Sequence, residues 1–296
     1  MNIDNYAQYE ETGLSKQDAL AYNTYACTIP LEFPRVALHW HDEFEIIYIK
    51  GGTARVVVDL VPYTAESGAI VIALPGQLHS IERSDTSRDL IYENIFFSSS
   101  ILESADSDWC SEAFFGRLKD GSLHLPVCIN PGTALHREAS ACLDAADALS
   151  GERSEGYALA LKAQLFLFFH ALYQHRLDGE EPAFALHESE KVKSALSYVS
   201  GHFSEKISIA DAAAATGYSD SHFMRFFKKY TGQTFIEYLN DFRLEAAADL
   251  ISATGEPINA IAGQCGFENF SYFCRAFKKK YGVSARRFRT GSQKAP

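Results

Sequence analysis

Two short segments of the sequence carry the same arrangement of basic side chains. In GYSDSHFMRFFKKYTG, Arg225 is followed by Lys228 and Lys229. In GFENFSYFCRAFKKKYG, Arg275 is followed by Lys278 at the same spacing. A guanidinium group can donate two hydrogen bonds to a guanine edge in the major groove, and a lysine near a helix end suits a phosphate. These residue types therefore indicate contacts with nucleic acid.

Each basic segment lies in the second helix of a predicted helix-turn-helix unit. A short Ala- and Ile-rich helix precedes it in both copies and ends at Gly217 or Gly266, where glycine permits a positive φ. A helical pattern from Phe235 to Ser252 joins the units and would let both enter successive major grooves. Phenylalanines spaced by three and four predict the buried face of each second helix. The exposed side then holds the candidate DNA-binding residues Ser221, His222, Met224, Arg225, Lys228, Lys229, Asn269, Phe270, Ser271, Cys274, Arg275 and Lys278.

The chain from about Lys191 to Phe288 resembles the DNA-binding part of the AraC/XylS family of bacterial transcription regulators. The resemblance rests on ISIADAAAATGYSDSHFMRFFKKYTGQTFIEYLNDFRLEAAADLI and on INAIAGQCGFENFSYFCRAFKKKYGVSARRFR. It implies a sequence-specific regulator whose partner is double-stranded DNA. Met224 and Cys274 stand where the family often has polar residues, so the resemblance does not imply a particular base sequence.

The first part of the chain predicts a β-sandwich or barrel followed by two helices. Short runs rich in Val, Ile, Tyr and Phe, such as EIIYI, ARVVVDL and AIVIALP, are separated by Gly and Pro. From about Leu135 to Arg176 the pattern becomes helical, interrupted at SGERSEG. The acidic segment LDGEEPAFALHESE, which has no period, is typical of a linker.

Two histidines and a glutamate mark the start of the barrel region. His39 and His41 are two residues apart and therefore share one face of a strand. The spacing HxHxxxExxxxxxG, together with the later PGxxH, resembles the two motifs of cupin β-barrels. In metal-binding cupins the residues matching His39, His41, Glu45 and His79 converge on one ion, and three imidazoles with a carboxylate suit Fe, Mn, Ni or Zn.

Regulators of this kind often keep such residues to line the pocket of an organic effector. We expect that use here, with no metal and no cofactor, and with His39, His41, Glu45 and His79 binding a small molecule of which a sugar is one candidate. Trp40 or Tyr48 could stack on a sugar ring. The alternative is a metal-dependent cupin enzyme with a helical appendage, because no other catalytic set stands out in the sequence.

These observations predict an α+β chain with two domains. Residues 1–180 would form a cupin-like β-barrel with a helical hairpin, used for ligand sensing and dimerisation. Residues 187–296 would form an all-α domain of two helix-turn-helix units joined by a long helix. The apolar stripe of the hairpin would pack either against the stripe of a second copy, which predicts a homodimer, or inside its own domain.

Charge and cysteine usage agree with a cytoplasmic DNA-binding protein, although the net charge is −11. From His187 onward the chain has 15 Lys and Arg against 11 Asp and Glu, whereas the first 186 residues have 12 against 27. Six scattered cysteines without a CxxC pair fit reduced thiols. The N-terminus has no apolar core of a secretory signal, and the most apolar stretch is too short to span a bilayer, so we expect no membrane partner.

Overall fold

The computed structural model describes residues 22–31, 35–102, 108–177 and 183–292. The chain divides into two compact units, of which one ends at His187 and the other begins at Glu188. Within the described ranges, all strands belong to the first unit, and the second unit is helical. The prediction of an α+β chain with strands first and helices second is therefore confirmed.

Two antiparallel sheets form the first unit. The strands in its described ranges are β1 (Tyr22–Ile29), β2 (Val36–His39), β3 (Glu43–Gly51), β4 (Thr53–Val58), β5 (Val61–Glu66), β6 (Ile70–Ala73), β7 (His79–Arg83), β8 (Leu90–Ser98) and β9 (Cys128–Ile129). The five-stranded sheet has the order β1-β8-β3-β6-β9, and the four-stranded sheet has the order β2-β7-β4-β5. This β-sandwich has the cupin-like arrangement that the sequence predicts.

A helical hairpin covers one face of the five-stranded sheet. A π-helical turn (Ser111–Phe115) continues into α1 (Gly116–Lys119), and the hairpin itself consists of α2 (Ala134–Glu152) and α3 (Tyr157–Gln174). The ring of Phe169 lies 5.1 Å from that of Phe44 and 6.2 Å from that of Phe97, measured between centroids. Because this sheet meets helices on one side and the second sheet on the other, β3 is buried on both faces.

The apolar stripe of the hairpin packs inside its own unit. The buried residues of this stripe join the same core cluster as the sheet, and they are Leu143, Ala146, Leu161, Leu165, Phe168 and Leu172. Of the two alternatives for the stripe, the structure therefore has the internal one. A homodimer does not follow from these residues and would need another surface.

Seven helices make up the described part of the second unit and the segment that leads into it. They are α4 (Ala183–His202), α5 (Ile209–Thr216), α6 (Asp220–Thr231), α7 (Phe235–Ala253), α8 (Ile258–Gln264), α9 (Phe270–Tyr281) and α10 (Ala285–Ser292). The predicted linker was wrong from Ala183 onward, where α4 begins. From Ala183 to Ser200 the sequence contains no Gly or Pro, and the burial of Val192, Leu196 and Val199 anchors the helix despite its acidic start.

Candidate DNA interface and effector site

The first helix-turn-helix unit consists of α5, a glycine turn and α6. The Ser208 side chain accepts a hydrogen bond from the backbone N–H of Asp211, whose carboxylate accepts one in return from the backbone N–H of Ser208; this capping box begins α5. Gly217 ends α5 with φ +71°, a left-handed conformation that costs little without a Cβ. In α6, Phe223, Phe226 and Phe227 are buried, as their spacing predicts.

The second unit repeats this plan with α8, Gly266 and α9. Gly266 has φ +79°, and Phe273 and Phe277 are buried beneath α9. The guanidinium group of Arg243, which lies in α7, donates hydrogen bonds to the carbonyl oxygens of Phe203 (2.7 Å) and Glu205 (2.6 Å). The connecting helix is thus bonded to the loop after α4 as well as packed against the second unit.

The opposite faces of the two second helices are exposed. This holds for every candidate DNA-binding residue, namely Ser221, His222, Met224, Arg225, Lys228, Lys229, Asn269, Phe270, Ser271, Cys274, Arg275 and Lys278. Met224 and Phe270 each keep 44% of their surface exposed, which is a large apolar area to leave in water. Both side chains are therefore available to contact the methyl group of a thymine.

Two of the candidates also have a structural partner. The side-chain oxygen of Asn269 accepts a hydrogen bond from the backbone N–H of Tyr272 and so caps α9. The Lys229 ammonium donates to the hydroxyl of Tyr230 over 2.8 Å. Asn269 thus offers DNA its amide N–H groups rather than its carbonyl oxygen, and a capping role could have been predicted from an Asn directly before the helix.

In the first unit, the four residues from the cupin-like motifs come together. His39 ends β2, Glu45 lies in β3, His79 begins β7, and His41 lies in the loop between β2 and β3. One ligating atom from each lies within 4.8 Å of those of the other three. Glu45 Oε2 is 2.8 Å from His41 Nε2 and 2.8 Å from His79 Nε2. The antiparallel pairing of His39 with His79 places their rings side by side, with centroids 4.2 Å apart.

Hydrogen bonds to neighbouring groups orient the three imidazoles. His39 Nδ1 donates to the carbonyl oxygen of Ala37 (2.9 Å), and His79 Nδ1 donates to that of Gln77 (2.8 Å). His41 Nδ1 lies 3.3 Å from a carboxylate oxygen of Glu43. Because a carbonyl oxygen can only accept, Nδ1 of His39 and of His79 carries the proton, and Nε2 of each ring is directed toward the cluster.

The cluster holds buried charge. Burial would raise the pKa of Glu45, but the charge of His79 and the close approach of the two imidazoles keep it well below its ordinary value. Burial would lower the pKa of His41, but hydrogen bonds to Glu43 and Glu45 raise it to about 9. Burial and the neighbouring His79 lower the pKa of His39 to about 3. At neutral pH the cluster therefore combines a carboxylate, an imidazolium and a neutral imidazole.

The structure adds Asn94 to this site and removes Tyr48. Ile95 and Phe97 of β8 pack with the helical hairpin, so Asn94 and Phe96 face the interior between the sheets. The Phe96 ring lies 5.4 Å from that of His41, and the buried side-chain oxygen of Asn94 has no hydrogen-bond partner among the described residues. Tyr48 packs on the helical side of β3, opposite to Glu45, and so cannot stack on a ligand in the interior.

Comparison with known proteins identifies both units. Residues 32–169 match the family described as AraC-like ligand binding domain, and residues 207–291 match a helix-turn-helix domain family. The chain is similar to the uncharacterized HTH-type transcriptional regulator YdeC of Bacillus subtilis (strain 168), with 25% identity over 84% of each chain. It is also similar to the HTH-type transcriptional activator RhaS of Enterobacter sp. (strain 638), with 26% identity over 86% of this chain and 87% of RhaS.

Solved structures match the DNA-binding part. One is the C-terminal domain of AraT, a response regulator from Geobacillus stearothermophilus, with 35% identity, a TM-score of 0.34, and coverage of 35% of this chain and 86% of that domain. A β-sandwich with a ligand-binding signature, joined to two helix-turn-helix units, defines a ligand-responsive DNA-binding regulator. The chain belongs to the AraC family of transcription regulators. None of the helices in the described ranges combines the length and hydropathy that a bilayer span requires.

Proposed function

We propose that the exposed faces of α6 and α9 bind double-stranded DNA and that a small polar effector, bound between the two sheets, modulates this binding. The basic residues near the ends of both helices would contact phosphates, and Arg225 and Arg275 would read bases. The chain would act in the cytoplasm, where the DNA is. It would recognise its effector without converting it, as its relatives that are named as regulators do not point to catalysis.

One observation carries the effector proposal. Four polar residues that face the interior, His41, Glu45, His79 and Asn94, are buried among apolar neighbours, and the Asn94 oxygen has no partner among the described residues. Buried polar groups cost free energy unless hydrogen-bonded, so a site that keeps an unsatisfied acceptor favours a ligand that donates to it. A molecule with several hydroxyl groups, such as a sugar, would donate to Glu45 and Asn94.

The effector proposal can be tested by ligand-dependent DNA binding. Fluorescence anisotropy with labelled target DNA would measure the affinity of the full chain across a panel of sugars and small polar acids. Asn94→Leu, which keeps the side-chain volume, should abolish the response to the active compound and leave the affinity for DNA without effector unchanged. Glu66→Gln, at an exposed position of β5, is the matched control. A normal response in Asn94→Leu would contradict the proposed site.

We also propose a homodimer that uses the outer face of α3. Leu159 is 78% exposed and Leu167 is 52% exposed, and Ala163 lies between them at the same helical spacing. This row faces away from the core stripe and is the apolar surface of the hairpin that a second copy could cover. The double variant Leu159→Glu, Leu167→Glu should sediment as a monomer, while Val61→Glu, at an exposed position of β5, should behave as the natural chain. A dimeric double variant would exclude this face.

The second candidate function is a metal-dependent enzyme. The cluster of three histidines and Glu45 favours it, because such donors can hold an ion that activates a substrate. Turnover of a compound that binds the full chain, lost in His41→Ala, would establish it. Binding that alters DNA affinity without turnover would support the regulator alone.

A further inference from the structure

The His79–Glu45 contact requires a positive species between the two side chains. His79 Nδ1 donates its proton to the Gln77 carbonyl oxygen, so in the neutral ring Nε2 carries a lone pair. This nitrogen lies 2.8 Å from Glu45 Oε2 but makes no hydrogen bond with it. Two acceptor atoms at this distance repel each other unless a cation lies between them. The same carboxylate oxygen also faces His41 Nε2, and His39 Nε2 is directed toward the cluster in the same way.

We propose that His39, His41, Glu45 and His79 bind one divalent transition-metal ion through their three Nε2 atoms and the Glu45 carboxylate. This inference rests on the proposed function, because the ion would lie in the interior where we place the effector and would offer it open coordination positions. The donor set of three imidazoles and one carboxylate fits Zn²⁺, Fe²⁺, Mn²⁺ or Ni²⁺. It replaces the expectation from the sequence that the site works without metal.

The geometry of the cluster fits this ion closely. The four ligating atoms lie within 4.8 Å of one another. Ligands bound at about 2.0–2.2 Å to one ion lie at most about 4.4 Å apart, so the widest pair would close by only a few tenths of an ångström. The ligands come from two different sheets, because β3 belongs to one and β2 and β7 belong to the other. An ion at this position would therefore cross-link the sandwich.

Glu43 is a positioning residue in this arrangement. The other two imidazoles are held by backbone carbonyl groups, whereas the Nδ1 atom of His41 faces the Glu43 carboxylate at 3.3 Å. A carboxylate behind a ligating histidine fixes the ring orientation and makes its other nitrogen a better donor. Glu43 would therefore raise the metal affinity of the site without contacting the ion.

The test uses tag-free full-length protein that has been stripped with a chelator and is then titrated with Co²⁺. We expect visible absorption bands that saturate at one equivalent of Co²⁺ per chain and disappear when Zn²⁺ displaces it. Glu45→Gln and His79→Ala should lose these bands, while His170→Ala, which removes an exposed histidine of α3, should keep them. Absence of bands in the natural chain, or equal bands in His79→Ala, would overturn the proposal.

Two further measurements separate the possible failures. Circular dichroism and DNA affinity of the stripped protein and of both ligand variants would report whether the chain is folded, and metal analysis by mass spectrometry would count the bound ions. Glu43→Gln should weaken Co²⁺ binding about tenfold to a hundredfold at unchanged stoichiometry. An unchanged affinity would refute the positioning role. A chain that selects DNA but binds no Co²⁺ refutes the metal site alone, and one that binds Co²⁺ but selects no DNA refutes the proposed function alone.

Discussion

Replacement of Gly266 by alanine should destabilise the helical unit far more than the same change at Gly217, although the two glycines are equivalent in the sequence. Both have a positive φ, +79° and +71°, which costs a residue with a Cβ about 1–2 kcal/mol. Their surroundings differ. A Cβ on Gly266 would lie 2.6 Å from the carbonyl oxygen of Phe203 and 2.9 Å from the Arg243 guanidinium, whereas at Gly217 the nearest atom is Lys191 Nζ at 3.5 Å.

The added cost at Gly266 comes from the hydrogen bonds that must separate. Arg243 donates to the carbonyl oxygens of Phe203 and Glu205, and a hydrogen bond from a charged group contributes about 1.5–3 kcal/mol. If one of them is lost, Gly266→Ala should lower the free energy of unfolding by about 3–5 kcal/mol, against about 1–2 kcal/mol for Gly217→Ala. Gly282→Ala is a second control, because φ is +72° and a Cβ there would meet no atom of the described residues within 4 Å.

Urea unfolding of the full chain measures these costs with an internal reference. The two tryptophans, Trp40 and Trp109, both belong to the first unit, so their fluorescence reports on that unit, while far-ultraviolet circular dichroism also includes the helices of the second. Gly266→Ala should shift the helical transition to lower urea and leave the fluorescence transition in place. Equal shifts in Gly266→Ala and Gly217→Ala would refute the close packing described for Gly266.

Three further predictions concern DNA reading and the core. Arg225→Ala and Arg275→Ala should each weaken binding to the selected site by about 1–3 kcal/mol and relax base choice locally, as anisotropy with single-base variants would show; unchanged affinity and specificity in both would exclude base reading. Lys228→Ala or Lys278→Ala should weaken binding to selected and random DNA alike and reduce the salt dependence by about one unit of slope; a loss confined to the selected site would contradict a phosphate contact. Phe168→Ala should destabilise the first unit by about 3–5 kcal/mol, because this ring is fully buried; a change below about 1 kcal/mol in the tryptophan-monitored transition would contradict that packing.

The sequence predicted best what depends on local spacing. The period of the phenylalanines in α6 and α9 determines which side of each helix is exposed, so the faces with Arg225 and Arg275 could be assigned without coordinates. The left-handed turns at Gly217 and Gly266 followed from the same local pattern. The four residues of the cupin-like motifs also come together as the resemblance implied, although they lie in two sheets.

Features that depend on the partner of a surface could not be predicted in this way. The stripe of the helical hairpin has the same pattern whether it meets a second copy or its own sheet, and only the fold shows that Phe44 and Phe97 cover it. Asn94 escaped notice because β8 is apolar on both faces, so alternation alone does not show which side is the interior. The tight packing around Gly266 depends on Arg243, which lies 23 positions earlier in the chain.

Selection of genomic DNA fragments by the purified full-length chain, followed by sequencing, tests the central claim most directly. If α6 and α9 read DNA, the enriched fragments should share a site with two boxes about one helical turn apart. The double variant Arg225→Ala, Arg275→Ala should enrich that site weakly or not at all, while His170→Ala should behave as the natural chain. Absence of any enriched site, with and without candidate effectors, would contradict the assignment of these two helices as the DNA-reading surface.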